Sequence, residues 1–158
     1  MRFIIAALFS LVVTTAVAGD FEDGRTAYER QDYRTALTKW RSAAQQADAA
    51  AQFNLGLMYD EGKGVAQDYK EAVRWYKLAA AQGNAKAQFN LGISYGKGEG
   101  VAQDYLRAHI WLNLAAIGGD ADAVKSRDIT ARKMAPQQVA EAQRLARECL
   151  ARNFKNCD

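Results

Sequence analysis

The chain has 158 residues, 49% of them hydrophobic and 25% charged, with a single Pro, which is the make-up of one folded domain rather than of a disordered or fibrous chain. Its 21 basic residues against 18 acidic ones leave a net charge of +3, and no run of Lys or Arg exceeds two residues. Neither the basic footprint of a nucleic-acid binder nor a polybasic membrane patch is present, so nucleic acid is not an expected partner.

The first eighteen residues differ in kind from the rest. Met1-Arg2 is positively charged, Phe3 to Val13 is almost wholly apolar, and Ala16-Val17-Ala18 forms a small-residue exit. That order describes a secretory signal peptide over 1–18, cleaved after Ala18. Its apolar run of eleven residues is short of the roughly 20 a membrane span needs, so no stable anchor is expected after cleavage. The expected location is the periplasm or the medium.

Asp20 is then placed to cap a helix from Phe21 to about Gln31, and Asp32 a second from Tyr33 to about Gln46. In the second, Ala36, Leu37, Trp40, Ala43 and Ala44 recur at spacings of three and four and form one apolar stripe. Next come residues 49–84 and 85–120, which align without gaps and are identical at 21 of 36 positions. Self-similarity at such a period is the mark of a repeat architecture.

In the first copy Asp48 starts a helix from Ala49 to about Glu61 with Ala51, Leu55, Met58 and Tyr59 inward. A glycine turn over 62–67 follows, whose Val65 is expected to plug the core. Asp68, with Glu71 three residues on, starts the next helix from Tyr69 to Gln82, and Gly83 ends it. The second copy repeats each device: Asn84, the Ala87-Leu91-Tyr95 stripe, the Gly98/Gly100 turn, Asp104, the Ala108-Trp111-Ala115 stripe and Gly118-Gly119. Gly56 and Gly92, without side chains, let a neighbouring helix approach closely.

Residues 19–48 form a degenerate copy, since Tyr33, Ala36, Ala43 and Ala44 lie 36 positions before Tyr69, Ala72, Ala79 and Ala80. After Asp120 a helix to about Lys133 and another from Pro136 to about Arg152 make 121–158 a terminal capping pair with a short tail. The expectation is an all-α fold of about eight antiparallel helices in four pairs, whose stacking supplies the core.

The pattern A-x-A-Q-F-N-L-G-x-x-Y, then G-x-G-V-x-x-D-Y, then A-x-x-W-x-x-L-A-A-x-x-G resembles the Sel-1-like repeat, a relative of the tetratricopeptide repeat. The resemblance implies a short right-handed α-solenoid that acts as a protein–protein adaptor without catalysis, and many such proteins are exported from bacteria. In the related solenoids the first helix of each pair lines a concave groove that holds peptides. Carried over by position, the partner-binding residues are Phe53, Asn54, Asp60, Glu61, Lys86, Phe89, Asn90 and Lys97, with Phe21, Glu22, Ala50, Leu57 and Ile93 on the same face. The asparagines are suited to an extended peptide backbone and the phenylalanines to an apolar floor; equally, Phe53 and Phe89 suit the core between repeats. Specificity is expected where the copies differ, at Ala50/Lys86, Asp60/Gly96 and Glu61/Lys97.

Chemistry of its own is not indicated. Gly92-Ile93-Ser94-Tyr95-Gly96 satisfies G-x-S-x-G, but that elbow requires a strand-to-helix turn, and here the repeat puts Ser94 inside a helix. His109, the one histidine, aligns with Val73 and is expected as a packed or rim residue. The Gly96–Gly100 run has no strand before it to make a phosphate cradle. Two cysteines and one histidine do not make a zinc set, so no metal or cofactor is expected. Cys149 and Cys157 are instead expected to pair in an oxidising compartment. Two rival functions fit the same compartment: an enzyme or inhibitor acting on cell-wall material, and a scaffold in envelope assembly or secretion.

Overall fold

A computed structural model describes residues 19–157; the proposed signal segment 1–18 lies outside them. Among the described residues the secondary structure is helical throughout. It comprises α1 (19–29), α2 (Tyr33–Gln45), α3 (Ala49–Glu61), α4 (Tyr69–Ala80), α5 (Ala85–Lys97), α6 (Tyr105–Ala115), α7 (Ala121–Ala131) and α8 (Pro136–Ala151). The fold is the expected all-α repeat solenoid.

Helix starts follow the Asx residues. The side chains of Asp32, Asp48, Asp68, Asn84, Asp104 and Asp120 each accept the backbone N–H three residues on, at 2.7–3.1 Å. At α8 the proline-led start is completed by the Gln138 side chain, which accepts the Ala135 N–H at 2.9 Å. Asp20 departs from expectation. It lies within α1, where its carboxylate accepts from Ser42 Oγ at 2.6 Å and Lys39 Nζ at 2.9 Å. Those two donors, Ser42 foremost, hold its carboxyl below the ordinary carboxylate range and tie α1 to α2.

The recurring residues pack one helix on the next. Ala51, Leu55 and Met58 of α3, and Ala87 and Leu91 of α5, are fully buried, and Val65 is half-buried against the N-terminal part of the core. A Cβ on Gly56 would lie 2.5 Å from the Tyr76 ring, and one on Gly92 2.7 Å from Leu112 Cγ, with carbonyls of Ala72 and Ala108 at 3.3 and 3.2 Å. Gly56→Ala and Gly92→Ala are each expected to destabilise by about 1–3 kcal/mol. Thermal melts of both that match the wild type would refute this packing.

The sequence pattern also contains a stitch. Gln52 and Gln88 are 4% and 2% exposed, and their Nε2 atoms donate to the carbonyls of Ala44 and Ala80 at 3.2 Å in both cases. Each glutamine adds a second donor to a carbonyl at the end of the preceding helix that otherwise accepts from the following turn, Ala44 from the Ala47 N–H at 3.1 Å and Ala80 from the Gly83 N–H at 2.9 Å, and so ties the start of one repeat to the end of the last. That is the physical reason for the Gln in A-x-A-Q-F-N.

The last pair breaks the rule of the others. α4 packs on α3 and α6 on α5, but α8 lies against α6 and shares almost no contact with α7. Two local features account for this. Arg127 and Asp128 stand where α3 and α5 carry Leu55-Gly56 and Leu91-Gly92, so α7 lacks the apolar knob and the bare patch a partner helix needs. The connection to α8 is also cut to 132–135. Enclosed by α5, α7 and α8, helix α6 buries seven of its eleven residues, from Ala108 to Ala115 with only Asn113 spared.

Beyond α8, the disulfide Cys149–Cys157 forms with Cα atoms 5.3 Å apart. It turns the tail back so that Phe154 packs on Gly83, at the turn between α4 and α5.

Candidate functional site

The first helices of successive repeats, α3, α5 and α7, leave an open cavity of about 280 Å³ between them. Phe53 and Leu57 on α3 and Phe89 on α5 form its apolar part, Lys86 and Asn90 sit on α5, and Asp120 and Asp122 mark the start of α7. Four of the eight partner-binding candidates, Phe53, Lys86, Phe89 and Asn90, therefore line one space. Asn54 lines a neighbouring cavity with Tyr28 and Trp40, and Leu57 is shared by both.

The remaining candidates are engaged locally. Asp60 accepts the Tyr76 hydroxyl at 2.9 Å, Glu61 pairs with Lys63 at 2.7 Å, and Lys97 pairs with Glu99 at 3.5 Å while lining a third cavity between α5 and α7. Burial, with Asp60 beside it, pushes the Tyr76 phenol far up and keeps it a proton donor to that carboxylate. The Asn90 amide lies near the same hydroxyl and opposes that rise.

The two phenylalanines, alike in the repeat, have different tasks. Phe53 stacks on Tyr76 with ring centroids 6.1 Å apart and packs on the core as well as lining the cavity. Phe89 is half-buried and belongs to neither core cluster. Sequence reasoning missed Asp120 and Asp122 as cavity residues, although their register at the start of a first helix was the available signal.

Ser94 is 8% exposed within α5, so the G-x-S-x-G stretch is helix and not a nucleophile elbow. His109 is 1% exposed on α6, and its Nδ1 has no hydrogen-bond partner among the described residues. Burial first, then the nearby Arg127, holds the imidazole below its ordinary 6.5, with Asp128 opposing. The unfolded chain therefore takes up this proton at higher pH than the folded chain does. Stability carried by neutral His109 is complete above pH ~6.5 and falls as pH drops from there toward the lower folded value. His109→Val, which installs the residue of the first repeat, is expected to flatten that part of the profile. At pH 7.5 it should change stability by less than about 1 kcal/mol, since losing an unpaired nitrogen and losing ring volume oppose each other. Urea titrations at pH 7.5 and 5.0 measure both; an unaltered pH dependence would remove His109 as its source.

Among the described residues no helix is long and apolar enough to cross a membrane, and no group of three His, Cys, Asp or Glu could hold a metal ion.

A model of the Sel1 repeat matches residues 49–84 and 85–120. Among solved structures, the chain is similar to a protective antigen present in uropathogenic Escherichia coli strains that displays an SLR fold, with a TM-score of 0.82, 30% identity and 89% of this chain covered. It is also similar to a Sel1 repeat protein from Oxalobacter formigenes, with a TM-score of 0.65, 38% identity and 68% of this chain covered. The chain spans 31% and 44% of those two chains, less than half of either. No curated protein matches by sequence.

Proposed function

Since the chain is a Sel1 repeat protein, and such proteins are in general helical scaffolds for protein–protein interaction, we propose that it is an exported adaptor without catalysis of its own. Its partner is a protein or peptide held in the groove between α3, α5 and α7. The observation that carries this reading is the convergence of Phe53, Lys86, Phe89 and Asn90 on one open cavity, with Phe89 left outside the core. An aromatic that contributes little to packing yet floors a cavity is what a binding surface requires.

Export is supported by the signal-like segment 1–18 and by the Cys149–Cys157 disulfide, a bond that persists in oxidising compartments. A photo-cross-linking residue placed at Lys86 in the full chain, expressed in its own cell envelope, tests both parts. The expected result is a chain trimmed to Gly19 and one discrete adduct, lost on Phe89→Asp while the unfolding curve is kept. An adduct indifferent to Phe89→Asp would overturn the groove; an untrimmed chain would overturn export.

A further inference from the structure

The charges around the α3–α5–α7 cavity are arranged in an order that internal pairing does not explain. Going from α3 to α7, a ligand meets the apolar Phe53 and Leu57, then Lys86 with Asn90, then Asp120 and Asp122. Among the described residues Lys86 and Asp122 take part in no ion pair or side-chain hydrogen bond, and Asp120 commits one oxygen to the Ala123 N–H at 2.8 Å. Opposite charges on one cavity rim thus stay apart. In the cavity beside α1 the situation is reversed: Arg25 is already paired with Glu22 and Glu29.

Unpaired rim charges of opposite sign fix the register and direction of a partner more than they add affinity. From this we infer that the segment bound here is an extended peptide of a partner protein that presents an apolar anchor, then an acidic residue, then a basic residue, in the direction α3 to α7. The inference rests on the groove reading above. The acidic side chain meets Lys86, the basic one meets Asp120 and Asp122, and the anchor enters between Phe53, Leu57 and Phe89. Helices α5 and α7 are in contact, and packed helices lie roughly 8–10 Å apart. About three residues of polyproline-II-like chain cover that step and bring the side chain back to the same face. The acidic and basic residues therefore sit about three apart.

Selection of a displayed random twelve-residue peptide library on the mature chain, with Phe89→Asp as counter-selection, tests this. The expected outcome is enriched peptides that are lost on Phe89→Asp and share the apolar, acidic, basic order. A synthetic peptide of that order should bind roughly tenfold better than its charge-reversed twin, with the preference inverted by Lys86→Glu combined with Asp122→Lys. Peptides lost on Phe89→Asp but without the charge order would overturn the inference and leave the groove standing. Peptides indifferent to Phe89→Asp, or no enrichment at all, would overturn both. Sedimentation completes the set: self-association abolished by Phe89→Asp would make a second copy the occupant and also overturn the inference.

Discussion

Gly100→Ala is expected to lower stability by about 2–5 kcal/mol, more than any other single methyl added to this chain. Two costs combine. Gly100 has φ +73, a left-handed conformation that an L side chain resists by roughly 1–2 kcal/mol. A Cβ there would also lie 2.2 Å from the carbonyl oxygen of Tyr69, 2.4 Å from its carbonyl carbon and 2.8 Å from the Lys70 nitrogen. These are backbone atoms in the first turn of α4, so they cannot rotate aside as the Tyr76 ring can at Gly56. The turn of the second repeat is seated on the helix start of the first, and the methyl would separate them. Gly64 makes the same contact one repeat earlier, against the Tyr33 carbonyl at 2.8 Å. The control is four residues away: at Gly96 the nearest atom to an added Cβ is Ala108 Cβ at 3.8 Å, within a helix, and Gly96→Ala should stabilise by about 0.5–1 kcal/mol. Urea midpoints of the two variants should move in opposite directions. If Gly100→Ala matched Gly96→Ala, the turn would not be the contact between repeats.

Loss of the disulfide is the second large effect. Cys149 and Cys157 are separated by 8 residues, and freeing a loop of that size from cross-linking should cost about 2–3 kcal/mol. Cys157→Ser is the cleaner variant, because Cys149 is 1% exposed in the core while Cys157 is only partly buried beside it. The wild type in reductant and the variant without it should share one urea midpoint, below that of the oxidised wild type. The tail is held by more than the bond, since Phe154 packs on Gly83 and its N–H donates to the Cys149 carbonyl at 3.0 Å. A variant as stable as the oxidised protein would mean that these contacts hold the tail unaided.

Most of the helix map was legible, because helix starts are local chemistry. An Asx residue followed three positions later by an N–H in need of an acceptor needs no tertiary context, and α3 begins and ends where its residues predict. Helix ends were less well marked: α4 stops at Ala80 and α6 at Ala115, before the glycines expected to end them, because the intervening residues close tight turns. Asp20 shows the limit of local reading. A carboxylate that looks like a cap was claimed by Ser42 and Lys39 from the next helix.

The packing of α8 on α6 was not legible from periodicity, which identifies an apolar face and not what covers it. The signals lay in Arg127-Asp128 and the short 132–135 link. For the site, position in the repeat put Phe53, Lys86, Phe89 and Asn90 on one first-helix face, since that face is set by the period, and the four line one cavity. It gave no sign of the local contacts of Asp60 and Glu61, whose partners Tyr76 and Lys63 come from other parts of the unit.

A solenoid is a screw operation applied to one unit, and an unbroken screw offers each new turn as a template for the next. In this chain α8 leaves the thread and lies back across α6. Among the described residues, the position that would continue the translation past α7 is thus filled by no helix of the regular series. Lengthening the array should therefore succeed by inserting a 36-residue unit between 120 and 121, inside the thread, and fail by appending one after α8.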